Sequence, residues 1–256
     1  MQESRRARVT FGLIAGVARP LMNLLMAKRW ERFDQLPTSG FIACPNHVTE
    51  IDPVVVGHAL YSNGRLPRYL AKESLFDLPL VGWVLKATEQ IPVTRSSASA
   101  NRSLQQARAL LDAGSVAVVY PEGTLTRDPD LWPMRGRTGA ARLALQTHAP
   151  VVPIAHWGAQ EVLPRYGKRL HVLPRKTVRV RVGDPVDLTD LYGKPITKTV
   201  LEEATDRIMH ALAAGVGELR SERAPTQLWD PREHGQALQG RDFGGPAPAG
   251  GQGSSQ

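Results

Sequence analysis

The chain is predicted to form an α/β fold, a mixed and mainly parallel sheet flanked by helices, with an amphipathic helix set before it at the N-terminus. Three observations carry this expectation. Short apolar runs such as Phe41-Ile42-Ala43 and Pro150-Val151-Val152-Pro153-Ile154-Ala155 alternate with longer stretches of helical period. One run, Val116-Ala117-Val118-Val119-Tyr120, is continuously apolar and rich in valine, the pattern of a strand buried on both faces of a parallel sheet. The two stretches richest in reactive side chains, 46–52 and 121–128, each follow such a run, and open α/β sheets bind ligands outside the carboxyl ends of their strands.

Taken in order, residues 1–30 read as an amphipathic helix. Apolar residues recur at Val9, Leu13, Val17, Leu21 and Leu25, with cations around them at Arg5, Arg6, Arg8, Lys28 and Arg29. A bilayer span needs about 20 largely apolar residues, and Arg19, Pro20 and Asn23 break this one. The helix is therefore expected to lie in a membrane interface with its cations toward anionic headgroups; the alternative is packing against the core through one face. The basic start resembles the n-region of a signal peptide, but the apolar stretch is interrupted and lacks a convincing cleavage site, so the segment is expected to be retained.

Residues 31–221 read as the main domain. After the strand at 41–43, a helix is expected from Pro53, with Asp52 as its cap. A strand at Pro67–Lys72 leads through a turn into a helix near Trp83, and Ile91-Pro92-Val93 is a further strand. A helix from Ser99 to Ala113 is closed by Gly114, and helices are expected at Gly139–Thr147 and Thr199–Leu219. Thr177 to Gly183 alternates apolar and basic residues, the pattern of a half-exposed edge strand. Residues 222–256 turn to Pro, Gly, Gln and Ser, with only scattered apolar side chains such as Leu228 and Trp229, and are expected to be disordered.

The net charge of +8 points to anionic partners. The basic residues are dispersed rather than interleaved with aromatics, which argues against nucleic acid. A single cysteine, Cys44, excludes an internal disulfide and fits a reducing compartment. The histidines show no metal-ligand spacing, so neither a metal nor a bound cofactor is expected.

The chemistry is expected at His47 and Asp52. Five residues apart on a regular helix they would point about 140° away from each other, so only a turn brings them together. A neutral imidazole with one nitrogen fixed by a carboxylate is placed to take a proton from a hydroxyl. The alternative is that Asp52 is only a helix cap and His47 only a loop residue. The loop Pro121-Glu122-Gly123-Thr124-Leu125-Thr126-Arg127 offers a glycine that lets backbone amides approach a phosphate, with hydroxyls and an arginine.

Four blocks stand in order: Asn46-His47-x4-Asp52; Ala71-Lys72 through Leu75, Pro79 and Gly82-Trp83 to Ile91-Pro92-Val93-Thr94-Arg95; Tyr120-Pro121-Glu122-Gly123-Thr124; and Val152-Pro153-Ile154. Over residues 40–185 the chain resembles the glycerolipid acyltransferase family, to which the 1-acyl-sn-glycerol-3-phosphate acyltransferases belong. The resemblance implies transfer of a fatty acyl group from a thioester, acyl-coenzyme A or acyl carrier protein, to the hydroxyl of lysophosphatidic acid at the cytoplasmic side of a membrane. His47 would be the general base and Asp52 would orient it. Arg95 with Glu122, Gly123 and Thr124 would hold the acceptor's phosphate, Glu122 alternatively buttressing the loop. Lys72 would lie on a basic rim for coenzyme A phosphates, or be a solvated strand end. Where the family commonly carries arginine after Glu-Gly-Thr this chain has Leu125, so Arg127, Arg135 or Arg137 must substitute, or the acceptor is not a simple phosphomonoester. The rival readings are a Cys44–His47 hydrolase and a non-catalytic membrane binder.

Overall fold

The computed structural model describes residues 5–93 and 97–237. It opens with α1 (Arg5–Leu25) and β1 (Met26–Glu31), followed by β2 (Phe41–Pro45), α2 (Asp52–Ser62), β3 (Pro67–Lys72), α3 (Pro79–Ala87) and β4 (Ile91–Val93). Then come α4 (Ser97–Asp112), β5 (Val116–Val118), α5 (Gly139–Thr147), β6 (Val151–Trp157), α6 (Ala159–Val162), β7 (Lys176–Val182) and α7 (Lys198–Arg220). The seven strands form one sheet in the order β1-β7-β6-β2-β5-β3-β4, and every neighbouring pair is parallel except β6 with β7. The mixed, mainly parallel sheet is as expected.

Alternation along the central strands feeds two cores. Ile42, Cys44, Ala117 and Val151 point toward α4, α5 and α7, where Ala107, Leu111, Ala144, Leu201 and Ile208 meet them. Phe41, Ala43, Val116, Val118, Val152 and Ile154 point the other way, toward Met22 of α1 and Val55, Val56, Ala59 and Leu60 of α2. Both faces are thus covered, which is why these strands read as unbroken apolar runs. Each fully buried valine or leucine here stabilises the fold by about 1.5–3 kcal/mol.

Three expectations need correction. Residues 26–30 are not the end of the first helix but part of β1, paired in parallel with β7 from Met26↔Lys176 to Glu31↔Arg181. As a result β7 is flanked by β1 and β6 and is not an edge strand. One of its basic residues, Arg181, is answered by two carboxylates, bridging Glu31 at 2.9 Å and Glu218 at 2.6 Å. The segment after residue 221 is docked as far as it is described: Ala224 and Leu228 pack against the buried face of α7, Trp229 stacks on His234, and Asp230 accepts from Arg135 at 2.8 Å. Residues 238–256 of the expected tail lie outside the described residues.

α1 carries apolar side chains on two faces. Ala15 and Met22 are buried against the body, and the Phe11 ring lies 5.0 Å from that of Tyr61 on α2. Val9, Leu13, Val17, Leu21 and Leu24 form the opposite stripe, each more than half exposed. α1 also touches α3, a short helix pinned by Gly82, where a Cβ would fall 2.1 Å from the Phe76 carbonyl oxygen. With Gly82 inward, Leu80 and Trp83 face out, 75% and 58% exposed. Among the described residues no helix is long and apolar enough to cross a membrane.

Candidate active site

β2 ends at Pro45, and the chain turns through Asn46 to Thr49 before α2 begins at Asp52, with Pro53 preset for the first turn. That corner brings His47 and Asp52 together. Asp52 Oδ2 accepts hydrogen bonds from His47 Nδ1 at 2.9 Å, from the Val48 amide at 2.6 Å and from the Thr49 amide at 2.8 Å. A carboxylate only accepts, so Nδ1 carries the imidazole proton and Nε2 is left with the lone pair. The Asp52 side chain is fully buried, whereas that of His47 is 18% exposed. An orienting carboxylate inside and a basic nitrogen at the surface is an arrangement able to deprotonate a hydroxyl.

The second reactive loop holds the first. Glu122 Oε1 accepts from the His47 amide at 2.8 Å, and the Thr126 amide donates to the His47 carbonyl at 2.7 Å. The Tyr120 ring lies 4.3 Å from the imidazole. Glu122 Oε2 accepts from the Met134 amide at 3.1 Å, and the carboxyl is 1% exposed. Glu122 therefore takes the buttressing place rather than one open to a ligand. Burial pushes its carboxyl up to about 8, against the pull of the Met134 and His47 amides and with a smaller push from Asp52.

Gly123 has φ +69, and the Cδ and Nε of Arg137 lie 2.8 and 2.9 Å from where a Cβ would stand. The exposed Arg137 side chain thus runs over the Glu122-Gly123-Thr124 turn, its amide held by the Pro121 carbonyl at 2.8 Å. The other two candidates for the missing arginine are placed differently. Arg127 is 1% exposed and Arg135 is paired with Asp230 and Glu202. The expectation that Arg127 meets a ligand from the loop is corrected by that burial: its place inward follows from the tight turn that also buries Leu125 and Thr126. Lys72 is exposed at the carboxyl end of β3, and the parallel register of Tyr69 with Val118 sets that end beside the start of the 121–128 loop. The Arg95 expectation lies outside the described residues.

Cys44 points into the core below α4, α5 and α7 and is fully buried, and desolvation pushes its thiol up to about 12. That is the opposite of what a thiolate nucleophile needs, which removes the Cys44–His47 hydrolase. His58 meets the Trp30 ring edge-on, with ring centroids 5.6 Å apart. Burial, with Lys28 and Arg19 nearby, lowers its imidazole to about 4. Among the described residues no group of three or more His, Cys, Asp or Glu could hold a metal ion.

Two neighbours were not anticipated. Arg165 Nη1 donates to the carbonyls of Thr126 and Asp128, both at 2.7 Å, bracing the loop from outside. His156, in β6, is fully buried and bonded to Asn46. A histidine inside an otherwise apolar strand was the available signal for it.

A family model described as Acyltransferase matches residues 29–157, half of the chain. The chain is 30% identical over 166 residues to a 1-acyl-sn-glycerol-3-phosphate acyltransferase of Bacillus subtilis, covering 63% of this chain and 75% of that protein. It is 26% identical over 182 residues to a chloroplastic 1-acyl-sn-glycerol-3-phosphate acyltransferase of Brassica napus, covering 70% of this chain and 49% of that one. To an N-acylphosphatidylethanolamine synthase of Arabidopsis thaliana it is 29% identical over 179 residues, covering 65% and 60%. The chain spans about half the length of the plant acyltransferases it matches. The crystal structure of the 1-acyl-sn-glycerophosphate acyltransferase PlsC from Thermotoga maritima superposes with a TM-score of 0.63 over 88% of this chain and 86% of that one, at 20% identity, a likeness of fold.

Proposed function

This chain belongs to the acyltransferase family, and from that premise we propose that it transfers a fatty acyl group from acyl-coenzyme A to the free hydroxyl of lysophosphatidic acid, giving phosphatidic acid. The observation that carries the reading is the His47–Asp52 pair, with Nδ1 bonded to a buried carboxylate and Nε2 left basic. As the acceptor oxygen attacks the thioester carbonyl, His47 Nε2 takes the hydroxyl proton. The tetrahedral intermediate then expels the thiolate, the C–S bond breaks, and His47 returns the proton to sulfur. Asp52 stabilises the imidazolium between these steps. The route needs no acyl-enzyme, no metal and no bound cofactor.

For the acceptor's phosphate we propose the backbone of Gly123 and Thr124 together with Arg95 and Arg137, and for the coenzyme A phosphates Lys72. Arg137 takes the part of the arginine absent at Leu125, because its side chain already lies over Gly123; a guanidinium clasps phosphate in two hydrogen bonds. Glu122 serves indirectly, by holding the His47 amide. The exposed stripe of α1 and the outward face of α3 support seating on a membrane, for which we propose the anionic cytoplasmic surface, with residues 31–221 as the catalytic domain to which β1 is joined.

A second reading, an acceptor with a larger headgroup, is favoured by buried Leu125 and by the relative named an N-acylphosphatidylethanolamine synthase. Transfer of a labelled acyl group from coenzyme A to lysophosphatidic acid, glycerol 3-phosphate and larger lysophospholipids, with His47→Ala alongside, separates the two. Transfer to lysophosphatidic acid that vanishes in the variant supports the first. Transfer only to another acceptor supports the second, and equal turnover in the variant sinks the mechanism.

A further inference from the structure

β6 is apolar along its length except at His156, which sits at 0% exposure beside the turn that carries His47. Three hydrogen bonds tie it to Asn46, the residue before the proposed base. The His156 amide donates to Asn46 Oδ1 at 2.9 Å, Asn46 Nδ2 donates to the His156 carbonyl at 3.1 Å, and the ring Nε2 lies 2.7 Å from the Asn46 carbonyl oxygen. A carbonyl only accepts, so Nε2 bears the ring proton. Nδ1 is buried and has no hydrogen-bond partner among the described residues. A leucine would fill this place without stranding a nitrogen in the core, so the imidazole is a costly filler unless its N–H is used.

The same Nε2 is 3.7 Å from Asp52 Oδ2, the oxygen that accepts from His47 Nδ1. Too long for a hydrogen bond, this approach still sets the N–H-bearing edge of the ring close to the orienting carboxylate. His156 thus touches the dyad twice, through the main chain leading into His47 and through the charge that selects its tautomer.

We propose that His156 is a positioning residue for acyl transfer, acting through Asn46 and Asp52 to hold His47 in the Nδ1–H tautomer. The proposal rests on His47 being the base, and it is tested by a measurement that does not need turnover. Long-range proton–nitrogen NMR of the imidazoles reports which ring nitrogen of His47 bears hydrogen. The wild type is expected to show one tautomer, and His156→Leu a mixture. With palmitoyl-coenzyme A and lysophosphatidic acid, kcat per folded molecule in His156→Leu should fall about 10- to 100-fold, with KM within about twofold. His156→Gln, whose amide reaches the same carbonyl, should recover most of it. An unchanged His47 tautomer, unchanged kcat per folded molecule, or no advantage of Gln over Leu each overturns the proposal. Should His156→Leu fail to fold, His156→Gln against the shorter His156→Asn makes the same comparison. Should the wild type transfer nothing to lysophosphatidic acid while His156→Leu still turns the single tautomer into a mixture, the result counts against that acceptor and for His156.

Discussion

The corner at His47 and the outer face of α1 are opposite solutions to the same requirement, meeting a lipid. At the corner, polar groups are buried in a hydrogen-bonded network: one Asp52 oxygen takes three N–H groups, and Glu122 takes two amides. On α1, five apolar side chains are left outside. Buried polar networks hold a geometry because breaking one bond strands its partner. An exposed apolar stripe has no geometry to hold and gains only by removal from water. Substitutions at the corner should therefore act on turnover, and substitutions on α1 on attachment.

The sharpest break of that division is His47→Ala. Loss of a general base should lower kcat about 10²- to 10⁴-fold, measured by acyl transfer, with vesicle binding unchanged. A variant that turns over normally would place the chemistry elsewhere. Next, Arg137→Ala removes a charged donor from the Gly123 turn and should raise KM for lysophosphatidic acid about tenfold or more, kcat changing less. Equal KM values would return the phosphate to other residues. A third contrast is Leu13→Asp with Val17→Asp on α1, which should weaken sedimentation with phosphatidylglycerol vesicles about tenfold or more while circular dichroism stays the same. Unaltered sedimentation would show that the stripe is not the seat.

The smallest effect concerns Glu122 and stability alone. Its unfolded carboxyl ionises near 4.5, and in the fold burial raises it to about 8. Between those values the unfolded chain has released a proton that the folded chain keeps. Stability from this group therefore falls as pH rises through the window, by at most about 1.4 kcal/mol per pH unit. Glu122→Gln should flatten that slope in denaturant midpoints taken at about pH 5 and about pH 8. An equally steep slope in the variant would locate the titration in another group.

Much of this was legible in order along the chain. Central strands announce themselves because burial on both faces requires unbroken apolar runs, and His47 with Asp52 because a turn at Asp-Pro is the only way to join them. β1 was hidden because an edge strand with Lys28 and Arg29 exposed has no apolar alternation. The place of β7 was misread because a basic residue such as Arg181 looks the same whether water or Glu31 and Glu218 answer it. Glu122 and Arg127 carry charge, and charge in a loop reads as exposure until the loop's partners are known. His156 was passed over because its partners are a main-chain carbonyl and Asn46 110 residues away, a relation without any spacing rule. The docking of 224–237 depends on a few scattered side chains finding a surface that composition does not report.

The sealed position of Cys44 has a practical consequence. With a single cysteine in the chain, fully buried and its thiol raised to about 12, almost no thiolate is offered to a maleimide near neutral pH. A cysteine placed at Leu13 or Leu80 would then be the one reactive sulfur on the protein. A fluorophore or spin label could be set on either helix with the wild-type core left intact, and its immersion depth read directly.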